Sequence, residues 1–74
     1  MAKPLTEGER KDLAVLSEAE QPPCTRKALD VRIGKAARQR AERRGHLAQS
    51  PEYTDCVVLT YDGIDYLEVL REFA

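Results

Sequence analysis

Between residues 25 and 46 stand eight basic side chains, Arg26, Lys27, Arg32, Lys35, Arg38, Arg40, Arg43 and Arg44, against two acids, Asp30 and Glu42. Guanidinium and ammonium groups at this density suit one kind of chemistry, the neutralisation and hydrogen bonding of anionic oxygens. Residues 47–74 invert the balance, with Glu52, Asp55, Asp62, Asp65, Glu68 and Glu72 against Arg71 alone. The overall charge of −1 conceals this sorting. A near-neutral chain that gathers its positive charge in one segment points that segment at something anionic.

Other reactive groups are sparse. His46 is the single histidine and has no Cys, Asp or Glu at metal-ligand spacing. It reads as a structural residue, and no metal or cofactor is expected. Cys24 follows Pro22 and Pro23, whereas Cys56 opens an apolar run. One disulfide between them is possible in principle, and redox sensing by Cys56 is a minor alternative, but nothing marks a secreted scaffold. There is no glycine-rich phosphate loop, nucleophile elbow or HExxH motif. A chain of 74 residues would also struggle to enclose an ordinary substrate pocket. An enzyme is not expected.

The elements that must position the basic side chains follow from caps and breakers. Thr6 followed by Glu9 is a capping-box pair opening a helix over 7–20, with Leu13 and Leu16 inward. Pro22 and Pro23 stop it. Thr25 caps a short second helix through Ala28, Leu29 and Arg32, and Gly34 is the turn residue. A third helix over 35–44 closes at Gly45 as a C′ glycine. One irregular helix over 25–44 is the alternative. In the third helix Ala37 and Ala41 form an apolar stripe, while Lys35, Arg38, Gln39, Glu42 and Arg43 point the other way. Arg40 and Arg44 fall near the stripe, where their stems can pack or Arg44 can pair with an acid of the last helix.

After Gly45 the period changes. Residues 46–49 read as a strand, 50–55 as a loop and 56–59 as a second, β-branched strand, together a hairpin. Thr60 caps a last helix with Asp62 in its first turn, where a carboxylate suits the helix dipole. Ile64, Leu67 and Leu70, with Tyr66 and Phe73 beside them, give it an apolar side. Tyr61 and Tyr66 are expected to pack or cap, and Tyr53 to be exposed at the loop. The acids of the last helix read as a solvated face. The fold class is α+β and mostly helical: three helices, a two-stranded β-hairpin and a C-terminal helix. Residues 1–5 are expected to be a flexible N-terminus, and 6–74 a single domain near the size where one core is marginal.

In this order the chain resembles the winged helix-turn-helix regulators of bacteria, archaea and their phages. Two segments carry the resemblance. Ala41-Glu42-Arg43-Arg44-Gly45-His46-Leu47 is similar to the step from recognition helix to wing. Val57-Val58-Leu59-Thr60-Tyr61-Asp62-Gly63-Ile64-Asp65-Tyr66-Leu67 is similar to the close of the wing and the helix after it. The usual Ser/Thr-rich start of the recognition helix is replaced by Gly34-Lys35-Ala36-Ala37.

The resemblance implies a transcriptional regulator that binds double-stranded DNA. Lys35, Arg38, Gln39 and Arg43 would enter the major groove, and Arg26, Lys27 and Arg32 would contact phosphates. The last helix, through Leu67, Leu70 and Phe73, is either a homodimer surface or part of the core. The hairpin tip, Glu52-Tyr53-Thr54-Asp55, has no Lys or Arg. That leaves a second reading open, a protein-binding inhibitor or adaptor of the phage or mobile-element type. No apolar stretch approaches membrane-spanning length and no signal peptide is evident, so a cytoplasmic location without membrane partners is expected.

Overall fold

Thr6 and Glu9 make both bonds of the capping box in the computed structural model, which describes residues 4–73. Thr6 N–H donates to Glu9 Oε1 at 2.9 Å, and Glu9 N–H donates to Thr6 Oγ1 at 3.1 Å. They open α1 (Glu7–Ala19). Of the expected flexible N-terminus, residues 1–3 lie outside the described residues, and Leu5 packs half-buried against the core.

Thr25 Oγ1 accepts from Ala28 N–H at 3.1 Å and caps α2 (Arg26–Arg32). At Gly34 φ reaches +138°, which separates α2 from α3 (Lys35–Arg43). The two-helix alternative therefore holds over one irregular helix, and the break sits at a residue without a Cβ. Gly45, at φ +79°, ends α3 in a Schellman arrangement. His46 N–H reaches Ala41 C=O at 2.9 Å and Gly45 N–H reaches Glu42 C=O at 3.1 Å.

The hairpin pairs β1 (Leu47–Gln49) with β2 (Val57–Leu59) antiparallel, Leu47 opposite Leu59 and Gln49 opposite Val57. Cys56 lies one residue outside β2 because it bridges to Thr25, tying the entry of α2 to the hairpin. Thr60 Oγ1 accepts from Gly63 N–H at 3.0 Å and starts α4 (Tyr61–Phe73). The described residues thus form an α+β arrangement of four helices and one two-stranded hairpin.

α1 is central and packs against α3, α4 and β2. Val15 and Leu16 supply its innermost side chains, and Leu29, Leu47, Val57, Leu67 and Leu70 close around them. Burying each such side chain is worth roughly 1.5–3 kcal/mol. Leu13 and Ile33 pack at the margin. The last helix corrects its expected pattern: Leu67 and Leu70 are core residues, but Ile64 and Phe73 are exposed, and Tyr61 neither packs nor caps, at 89% exposure.

The start of α4 is held against the turn that follows α3. Thr60 N–H donates to His46 C=O at 3.1 Å, and Thr60 Oγ1 donates to Gly45 C=O. A Cβ built on Gly63 would lie 2.0 Å from the His46 carbonyl oxygen, so only glycine permits this approach. Tyr66 stacks on the His46 ring at 4.6 Å between centroids.

Candidate nucleic-acid interface

The basic segment divides into inward and outward groups. Arg38 is only 8% exposed although it lies on the helix flank expected to be free. Its Nε and Nη2 donate to the two Asp30 oxygens at 2.8 and 3.0 Å, and its Nη1 donates to Glu42 Oε2 at 2.6 Å. Glu42 Oε1 accepts Arg26 Nη2 at 2.8 Å. Arg26 Nη1 also reaches Thr54 C=O at 3.0 Å, and its backbone N–H reaches Asp55 C=O at 2.9 Å.

Arg26 and Arg38 are thus fasteners between α2, α3 and the hairpin loop. The Arg38 guanidinium holds the Asp30 carboxyl below the usual carboxylate range, and Arg26 and then Arg38 do the same for Glu42. The two carboxylates in turn stabilise the charged form of Arg38.

A second network joins α1 to the end of α3. Asp12, buried in α1, accepts Arg40 Nε at 3.1 Å, Arg44 Nη1 at 3.5 Å and the Tyr66 hydroxyl at 2.9 Å. Arg40 Nη2 also reaches Gly8 C=O at 2.8 Å. The pairing of Arg44 with an acid of the last helix is therefore corrected: its partner is Asp12 of α1. Burial, reinforced by the hydrogen bond to Asp12, raises the Tyr66 hydroxyl above its ordinary pKa.

Arg32 pairs with Glu18 at 2.9 Å, but both side chains are largely exposed. A pair of this kind contributes about 0–1 kcal/mol. Lys27, Lys35 and Arg43 are exposed and enter no ion pair among the described residues. Lys35, Gln39 and Arg43 are four residues apart on α3 and form one outward ridge, with the exposed methyl of Ala36 beside it. A shallow concavity of about 320 Å³ lies between Gln39, Glu42 and Arg43.

Of the seven residues expected at an interface, α2 and α3 thus present Lys27, Lys35, Gln39 and Arg43 outward, with Arg32 loosely paired. Arg26 and Arg38 face neighbouring elements. Which cations turn inward was not visible in the sequence because the acids that hold them come from α1, α2 and α3 itself. The acids of α4 take no part. Its Arg71 pairs with Glu20, which lowers the Glu20 carboxyl.

Cys24 and Cys56 are free and buried, and burial raises both thiols. Neither has the thiolate character of a reactive cysteine. Among the described residues no group of three or more His, Cys, Asp or Glu is placed to hold a metal, and no helix is long and apolar enough to cross a membrane. Comparison of the chain with protein-family models, curated proteins and solved structures returns no match.

Proposed function

We propose that this protein is a winged-helix domain that binds double-stranded DNA through α3 and acts as a transcriptional regulator by occupying its site. The observation that carries the reading is the outward ridge Lys35–Gln39–Arg43. It is polar, exposed and free of internal ion pairs, on a helix set off from α2 by the sharp turn at Gly34. A helix of this kind fits the major groove of B-form DNA, where lysine, arginine and glutamine bond base edges. Lys27, and Arg32 after exchange of Glu18, supply phosphate contacts. Arg26 and Arg38 serve indirectly, by holding α2, α3 and the hairpin in register.

The hairpin tip supports a second reading. Glu52 and Asp55 are exposed beside the start of α2, and Tyr53 is more than half exposed between them. Two carboxylates there disfavour a phosphate backbone and suit a basic protein surface. Fluorescence anisotropy with random duplex DNA at about 50 and 200 mM salt separates the two. Binding that weakens with salt and with Lys35→Ala/Arg43→Ala supports the DNA reading. Absence of binding at low salt favours the protein-partner reading.

A further inference from the structure

The outward ridge of α3 carries three different chemistries in a fixed order, and that order bears on which bases it would meet. Lys35 and Arg43 stand at its ends, Gln39 at its centre, and the Ala36 methyl lies three residues before Gln39 on the same exposed surface. Four residues of α-helix advance about 6 Å. Stacked base pairs are about 3.4 Å apart, so each end of the ridge reaches about two base pairs from Gln39.

A glutamine amide donates and accepts in the pattern that matches adenine N7 and N6. Lysine and arginine match guanine O6 and N7, and an alanine methyl packs on the thymine methyl. Ala36 lies about 4.5 Å before Gln39 along the helix, more than one base step, so the central A·T preference rests on Gln39 alone. Glu42 would select cytosine if it were free, but both its oxygens are held by Arg26 and Arg38. Arg38 is likewise turned away, so the ridge is read without interference from either.

The geometry points to a target in which an A·T pair lies under Gln39, flanked about two base pairs away on each side by guanines under Lys35 and Arg43. Gln39 is the residue that sets the central preference. This inference rests on the DNA-binding reading above.

The test is enrichment of duplexes from a random pool by the full chain, wild type beside Gln39→Ala. The exposed helical position tolerates alanine, and a circular dichroism melt confirms that the variant folds. The wild type is expected to enrich an A·T-centred, guanine-flanked motif. Gln39→Ala is expected to lose the central preference about tenfold or more while keeping the flanks. A wild-type motif without that centre, the same motif from Gln39→Ala, or duplex binding with no sequence preference would each overturn this assignment and leave DNA binding standing. No duplex binding at any salt would overturn the DNA reading itself.

Discussion

Glu42 of α3 holds Arg26 of α2 mainly through one carboxylate oxygen, which receives Nη2 at 2.8 Å and Nε at 3.2 Å, while its second oxygen receives Arg38 Nη1 at 2.6 Å and the Arg26 Nε more distantly at 3.4 Å. Glu42 thereby joins α2 to α3, and the Arg26 that it holds reaches on to the hairpin loop through Thr54 C=O. The same contacts decide which cations remain outside.

Arg38 and Arg43 should respond to truncation in opposite ways. Arg38→Ala leaves Asp30 without its cation and Glu42 with Arg26 alone, and a loss of about 2 kcal/mol in unfolding free energy is expected, below the range for a fully buried pair because the acids are part-exposed. Arg43→Ala should change stability by less than about 0.5 kcal/mol. Urea denaturation of the two variants beside the wild type checks this. Equal stability losses would mean that the Arg38 cluster is not held in solution.

Acid should weaken the same cluster. Asp30 and Glu42 are both held below their ordinary carboxylate pKa by arginines. Their contribution to stability is therefore full above the unfolded-state carboxylate range, about pH 4, and disappears as pH falls through the lowered folded-state values. Thermal melts between about pH 6 and pH 2 should show stability declining on acidification below about pH 4–5. The decline should be shallower in Asp30→Asn/Glu42→Gln. Parallel curves for variant and wild type would remove these two acids as the cause.

Gly63 should be among the least replaceable residues. A Cβ there would meet the His46 carbonyl oxygen, a backbone atom that cannot swing aside. Gly63→Ala is expected to cost about 3 kcal/mol as an overpacking defect. Gly34→Ala meets no neighbouring atom but is strained by its φ of +138°, and should cost about 1–2 kcal/mol. Chemical denaturation orders the two, and a Gly63→Ala protein as stable as wild type would contradict the close packing of α4 on the turn after α3.

If Lys27 and Arg32 supply the phosphate contacts while Lys35 and Arg43 meet base edges, the number of phosphates neutralised is small. The logarithm of affinity should then fall with the logarithm of salt with a slope of about −1.8, and Lys27→Ala should make that slope shallower by about 0.9. A slope of about −3.6 or steeper would require further phosphate contacts, as when Arg26 and Arg38 leave Glu42 and Asp30 in the complex.

Much of the fold was legible from local chemistry. The capping box at Thr6 and Glu9, the prolines after α1, the glycines at 34 and 45 and the threonine caps at 25 and 60 act within a few residues, so sequence order exposes them. The β-branched run at Val57 and Val58 likewise announced β2. The destination of the arginines was not legible in this way. Arg38 is one helical turn from Glu42 but eight residues from Asp30, and Arg40 meets Asp12 across 28 positions. Such pairings depend on how α1 and α2 lie against α3. The exposure of Tyr61 and Ile64 escaped for the same reason: the inward direction of α4 is fixed by Gly63 against His46, and a hydrophobic repeat alone leaves that rotation open.

The division between inward and outward cations has an electrical consequence. Among the described residues the charges left without an ion pair include Lys27, Lys35 and Arg43 on α2 and α3, Asp62, Asp65, Glu68 and Glu72 on α4, and also Arg10 of α1 and Glu52 and Asp55 of the hairpin loop, with α3 and α4 both packed on α1. With an overall charge of −1 such a body has little monopole, and the division of free cations and free acids between α3 and α4 gives it a dipole. In the field of a polyanion it experiences torque before it experiences net attraction, and it turns α3 foremost while still at a distance. Orientation would then precede capture, and the four carboxylates of α4 would contribute to encounter by being repelled.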